Sequence, residues 1–170
     1  MKHAKLYVPA AAIAVALMVM PARAAQGDNT FVNKAAAGGM AEVQLGQLAQ
    51  TKGHSQAVKD LGARLVADHS KANDMLKSIA SKDNMTLPTS MDAKAQAEYN
   101  KLQNLSGADF DREFVNHAIK DHKEDIAMFQ READHGTNPD IKNWASQQLP
   151  TLQEHLRMAQ DAQKQIMSGK

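Results

Sequence analysis

The chain contains no cysteine, so it can form no disulfide and carry no lipid-modified N-terminal cysteine. Aromatic residues are scarce, with 4 Phe, 2 Tyr and 1 Trp. Against the abundance of Ala, Leu, Met and Gln, that scarcity points to helices rather than sheet. No serine-nucleophile motif or Gly-rich phosphate loop is present, which leaves a hydrolytic enzyme without support. Beyond the first 20 or so residues, no apolar run reaches the length of a membrane span. The alternating strands of an outer-membrane barrel are also missing.

The N-terminus has the pattern of a secretory signal. Lys2 and Lys5 supply a positive start, Leu6 to Met20 an apolar run, and Pro21-Ala22-Arg23-Ala24-Ala25 small residues for cleavage. The expected organisation is a signal peptide over 1–24, a flexible lead over 25–29 and one helical domain over 30–168. Losing Lys2, Lys5 and Arg23 with the signal takes the 20 basic side chains to 17, against 19 acidic ones. A mature chain so close to neutral lacks the clustered positive surface that a nucleic acid or anionic membrane requires. The expected location is a bacterial periplasm, as a soluble protein.

Apolar periodicity divides the remainder into helices. Asn29 or Thr30 can cap a first helix running to about Lys52 and stopped by Gly53, with an inward stripe of Phe31, Ala35, Gly38, Glu42, Leu45 and Ala49. Gly38, Gly39 and Gly46 weaken this helix, and close approach of a neighbour would compensate for them. Ser55 caps a second helix reaching about Asp83, through Val58, Leu61, Leu65, His69, Ala72, Leu76 and Ile79. A break at Pro88 is followed by a short amphipathic segment from Ser90 or Asp92, through Tyr99 and Leu102. A third main helix runs from near Ala108 to His135-Gly136 and places Ala118, His122, Ile126 and Phe129 inward. Asn138-Pro139 opens a fourth through Ile141, Ala145, Leu152, His155 and Ala159, in which Pro150 should cause a kink or a split. The resulting expectation is an all-α, ferritin-like four-helix bundle, with a long crossover carrying an extra short helix between helices two and three.

Glu42, His69, His122 and His155 each complete an apolar stripe near the middle of a helix. Four inward residues at mid-length should meet in one layer, and three imidazoles with one carboxylate suit one transition metal ion, whether zinc, iron, copper or manganese. Asp68, Asp121 and Glu154 precede the histidines and are rotated about 100° around their helices. They can serve as outer partners by accepting the second ring N–H of a histidine on an adjacent helix. A metal-free alternative is a layer of neutral histidines hydrogen-bonded to Glu42, fixing only the helix register. Met40, Met75, Met128 and Met158 fit core packing, and His54, His117 and His135 fit helix ends or flanks.

The runs FVNKAAAGGMAEVQLGQLA, LVADHSKAND, FDREFVNHAIKDHKEDIAMFQREA and LPTLQEHLRMAQ resemble the bacterial domain of unknown function family 4142, secreted proteins that often bear an outer-membrane label. The resemblance extends from about Phe31 to Ala159. It implies a ferritin-like helical bundle, with motif positions at Glu42, Asp68-His69, Asp121-His122 and His155. Val66, Ile119 and Leu152 stand three residues before the three histidines. The Glu-x-x-His pairs of a di-iron carboxylate site are therefore missing, and a single ion is expected.

Two functional readings follow. In one, the protein holds a metal for metal handling or envelope stress protection, with catalysis left open; were it an enzyme, it would be a metal-dependent oxidoreductase. In the other, it is a metal-free envelope or stress protein whose surface binds a protein partner. The sequence specifies neither that partner nor an oligomeric state.

Overall fold

The computed structural model describes residues 22–169, with side chains from Gly27 onward. Four long helices and one short one account for most of it: α1 Ala22–Lys52, α2 Gln56–Lys82, α3 Ala93–Gln103, α4 Gly107–His135 and α5 Pro139–Met167. The leader expected at 1–24 lies outside the described residues except for its last three positions, which are helical. The expected flexible lead at 25–29 is helical as well, because α1 begins at Ala22. Asn29 and Thr30 are thus interior residues of α1 rather than its cap. Among the described residues, no helix is long and apolar enough to cross a membrane.

Helices α2, α3 and α5 start on expected side chains, whereas Ser106 ahead of α4 makes no side-chain cap bond. The Val58 N–H donates to Ser55 Oγ at 3.3 Å, the Ala95 N–H to Asp92 Oδ1 at 2.8 Å, and the Asp140 N–H to Asn138 Oδ1 at 2.9 Å. Helix α5 is unbroken through Pro150. Pro150 and Ser146, whose carbonyl loses its usual donor, are both exposed, so water can replace the missing N–H without opening the helix.

Helices α1 and α2 form one hairpin, α4 and α5 another. In the first, the backbones nearly touch where two glycines meet. A Cβ added at Gly46 would lie 2.7 Å from the Gly62 carbonyl oxygen, and one at Gly62 would lie 2.6 Å from that of Gly46. A Cβ at Gly39 would collide with the Asn73 side chain, whereas one at Gly38 meets nothing within 4 Å. Close approach therefore accounts for Gly39 and Gly46 but not for Gly38.

Phe31, near the start of α1, packs edge-on against Phe129 near the end of α4 and Trp144 near the start of α5, with ring centroids 5.0 and 6.0 Å apart. This sets α1 antiparallel to α4 and parallel to α5. Leu76 of α2 joins the same cluster, so α2 and α4 run parallel and the segment carrying α3 spans the bundle's length. A second apolar cluster fills the other end, built from Leu45, Leu61, Leu65, Phe110, Phe114 and Ala159, with Leu102 of α3 added. Glu42, His69, His122 and His155 are buried at the level between the two clusters.

Candidate metal centre

Helices α2, α4 and α5 each bring one histidine to this middle level, set in the apolar stripes that bury those helices. His122 and His155 are fully buried and His69 is 8% exposed. Their ring centroids lie 5.2 to 5.8 Å apart. One ring nitrogen from each lies within 4.8 Å of the other two.

Hydrogen bonding assigns the protons. A carbonyl oxygen can only accept, so the 2.9 Å contact between His122 Nδ1 and the Ala118 carbonyl places the proton on Nδ1. Burial first, and then the charge of His155, depresses the His122 pKa to about 4. The ring is neutral near pH 7, and its Nε2 carries a lone pair. On His155, Nε2 lies 2.8 Å from Asp68 Oδ2. Burial raises the Asp68 pKa, but hydrogen bonds from His155 and Arg64 outweigh that effect and lower it overall. The carboxylate is therefore ionised and accepts the Nε2 proton. Burial also lowers the His155 pKa despite Asp68 beside it. A neutral His155 has no second proton, and its Nδ1 is a lone pair too.

Those two lone-pair nitrogens, His122 Nε2 and His155 Nδ1, face each other at 3.2 Å. With both rings neutral the contact is repulsive, whereas a second proton on His155 Nδ1 would make it a hydrogen bond. The third ring adds to the demand: His69 Nε2 is buried without a hydrogen-bond partner, and burial, then His122 and His155, lower its pKa to about 3. Three imidazole lone pairs can thus be directed at one place. Two nitrogens bound tetrahedrally at about 2.0–2.1 Å would stand about 3.3 Å apart, close to the separation seen. A cavity of about 30 Å³, room for a water or a small ion, is lined by Asp68, His69 and His155 but not by His122.

Glu42 does not join this cluster. Its carboxylate groups with His117 and Asp121 instead. The reason lies in helix order: α1 packs on α2 and α4 but lies diagonal to α5, so a residue on its α4 side faces away from His155. Glu42 also lies past the middle of α1, which starts at Ala22 rather than at Asn29 or Thr30. Glu42 is 2% exposed and its Oε1 has no partner. Burial, then repulsion from Asp121, a side-chain hydrogen bond with Asp121 and the charge of Asp125 raise its pKa well above the usual carboxylate range.

The three acidic neighbours of the histidines separate as well. Asp68 accepts from a histidine on an adjacent helix, the contact expected of an outer partner. Asp121 faces Glu42. Glu154 stays at the surface, where Arg157 of its own helix donates to it at 2.6 and 2.8 Å.

Two functional-looking residues escape the apolar-stripe reading. Asp28 and Asp111 are both buried, yet neither lies at mid-helix. Asp28 of α1 accepts the Thr137 and Asn138 N–H groups at 3.0 and 2.8 Å, ahead of α5. Asp111 of α4 accepts those of His54 and Ser55 at 2.8 and 2.7 Å, ahead of α2. Each hairpin thus fastens the turn of the other. A sequence signal was available: Asp28 opens DNTFVNKA and Asp111 opens DREFVNHA, and one interval of 83 residues separates Asp28 from Asp111 (111 − 28) and Ser55 from Asn138 (138 − 55). The two hairpins are a pseudo-repeat.

Comparison with known proteins identifies the chain by family and fold. A crystal structure of a DUF305 fragment from Deinococcus radiodurans is similar to it, with a TM-score of 0.72 at 14% identity, covering 82% of this chain and 96% of that one. This likeness shows a shared helical-bundle fold. No curated protein matches the sequence. The family model described as a domain of unknown function, DUF4142, matches residues 15–162, and the chain belongs to that family.

Proposed function

We propose that this protein is a ferritin-like bundle of the bacterial periplasm, exported by the signal at 1–24. It holds one divalent transition metal ion between His69, His122 and His155 and serves metal handling or envelope stress protection. The observation that carries this reading is the 3.2 Å approach of His122 Nε2 and His155 Nδ1, two nitrogens left unprotonated by their outer hydrogen bonds. The unpartnered Nε2 of His69 supports it. Asp68 holds the His155 ring with its proton outward, the usual arrangement behind a metal-bound imidazole. Borderline metals such as zinc, copper or iron suit three imidazoles. Three protein ligands leave a coordination position for water or another small ligand.

A second reading has its own support. Asp68 at 2.8 Å from His155 Nε2 also favours a doubly protonated His155 donating to His122 Nε2, which would make the cluster a metal-free lock on helix register.

Elemental analysis separates the readings, on protein purified from periplasm without tag or chelator. The metal reading expects about one equivalent of zinc, copper or iron, absent from a His69→Ala His122→Ala double variant. No bound metal, and none taken up on challenge, would leave the lock.

A further inference from the structure

Glu42, displaced from the histidine cluster, belongs to a second group. One ligand atom from each of Glu42, His117 and Asp121 lies within 4.8 Å of the other two. Glu42 is 2% exposed and its Oε1 makes no hydrogen bond, an unusual condition for a carboxylate oxygen enclosed in a helical bundle. The same three residues line a cleft of about 360 Å³ between α1, α3 and α4, which gives the buried oxygen a route to solvent. Lysines also line the cleft, but two of them are engaged: Lys101 pairs with Glu113, and Lys94 with Glu124 at 3.4 Å. Lys120 is exposed. Asp125, one turn beyond Asp121, adds a further carboxylate in the field of Glu42.

We infer that Glu42, His117 and Asp121 form a second cation site, separate from the three histidines, which takes a harder divalent cation such as manganese. The chemistry of the donors carries the assignment. Two carboxylates and one imidazole favour manganese or ferrous ion over the softer ions preferred by an all-nitrogen set. A dication between Glu42 and Asp121 also offsets the repulsion of two carboxylates brought together, one buried and one half-buried. Asp121 and His122 are consecutive on α4, so one turn of that helix serves both sites from faces about 100° apart. The three-histidine reading is not needed for this one, since the two sites share no side chain.

The test uses the full-length mature protein, stripped of metal and loaded with one equivalent of zinc. Manganese(II) is then titrated in, and the decline of the free aqua-ion electron paramagnetic resonance signal is followed. The expected result is one bound equivalent of manganese, weakened ~10-fold or more by Glu42→Gln and by His117→Ala and unchanged by His69→Ala. Glu42→Gln keeps the side chain's size without its charge, and His117→Ala alters a half-buried position, so circular dichroism and melting temperature should stay close to wild type. Three results would overturn the site: no manganese uptake by wild type, equal affinity in wild type, Glu42→Gln and His117→Ala, or loss confined to His69→Ala. The last would show that manganese enters the histidine cluster.

Discussion

The bundle buries ionisable side chains at two kinds of place, and they differ in what they touch. Near the ends, Asp28 and Asp111 each receive two backbone N–H groups from the opposite hairpin. In the middle, His69 Nε2 and Glu42 Oε1 are buried without partners, a condition shared near one end by Glu132 Oε1, and His122 Nε2 approaches His155 Nδ1 to 3.2 Å. A buried polar group that is hydrogen-bonded contributes to the fold, whereas one left unmade costs about 1–3 kcal/mol. The aspartates complete the architecture. Under the proposed function, a cation would complete the middle group.

Breaking the ends should have the largest effect, and the effect should ignore metal. Asp111→Ala removes the acceptor of two part-buried N–H groups ahead of α2, and a loss of about 3 kcal/mol is expected by urea denaturation, the same with and without chelator. Asp28→Ala should behave alike at the other turn.

Breaking the middle should depend on metal. His122→Ala is expected to lose about 2–3 kcal/mol more in zinc at 100-fold above the dissociation constant than in chelator, since that is the stabilisation such binding provides. Equal losses in the two buffers would class His122 with the aspartates. Asp68→Asn leaves the three ligands in place but alters the group that orients His155. Zinc affinity measured by competition with a chelating dye should fall ~10- to 100-fold.

The smallest effect sharpens the comparison at one end. Burial, then Asp28, raises the Glu132 pKa to about 7 from its ordinary 4.5. A group whose folded pKa is raised stabilises below its unfolded value and loses that contribution as pH rises through the folded one. Wild type should therefore lose stability between about pH 4.5 and 7, relative to Glu132→Gln. Water at this bundle end keeps the loss on the order of 1 kcal/mol. Parallel melting curves across that range would show that Glu132 ionises normally.

Periodicity made the helices and the three histidines readable, because each sits in an apolar stripe that only its own helix has to satisfy. Ser55, Asp92 and Asn138 were readable as caps for the same local reason. What failed was relational. Asn29-Thr30 has the composition of a cap, but Asp28 beside it is engaged by Thr137 and Asn138, and α1 continues through to Ala22. Glu42 fits its stripe as well as His69 does. Which neighbouring helix it faces depends on the order of helices around the bundle, which a linear pattern does not contain. Gly38 and Gly46 look equivalent in sequence, yet only Gly46 lies against another backbone.

The most direct measurement is of the histidine ring nitrogens themselves, by long-range ¹H–¹⁵N correlation in metal-free protein and after one equivalent of zinc. The account predicts that His122 Nε2, His155 Nδ1 and His69 Nε2 all move to metal-bound shifts, while His122 Nδ1 and His155 Nε2 keep their protons to Ala118 and Asp68. Ring nitrogens unchanged by zinc, with His155 protonated on both, would contradict it and make the middle of the bundle as purely structural as its ends.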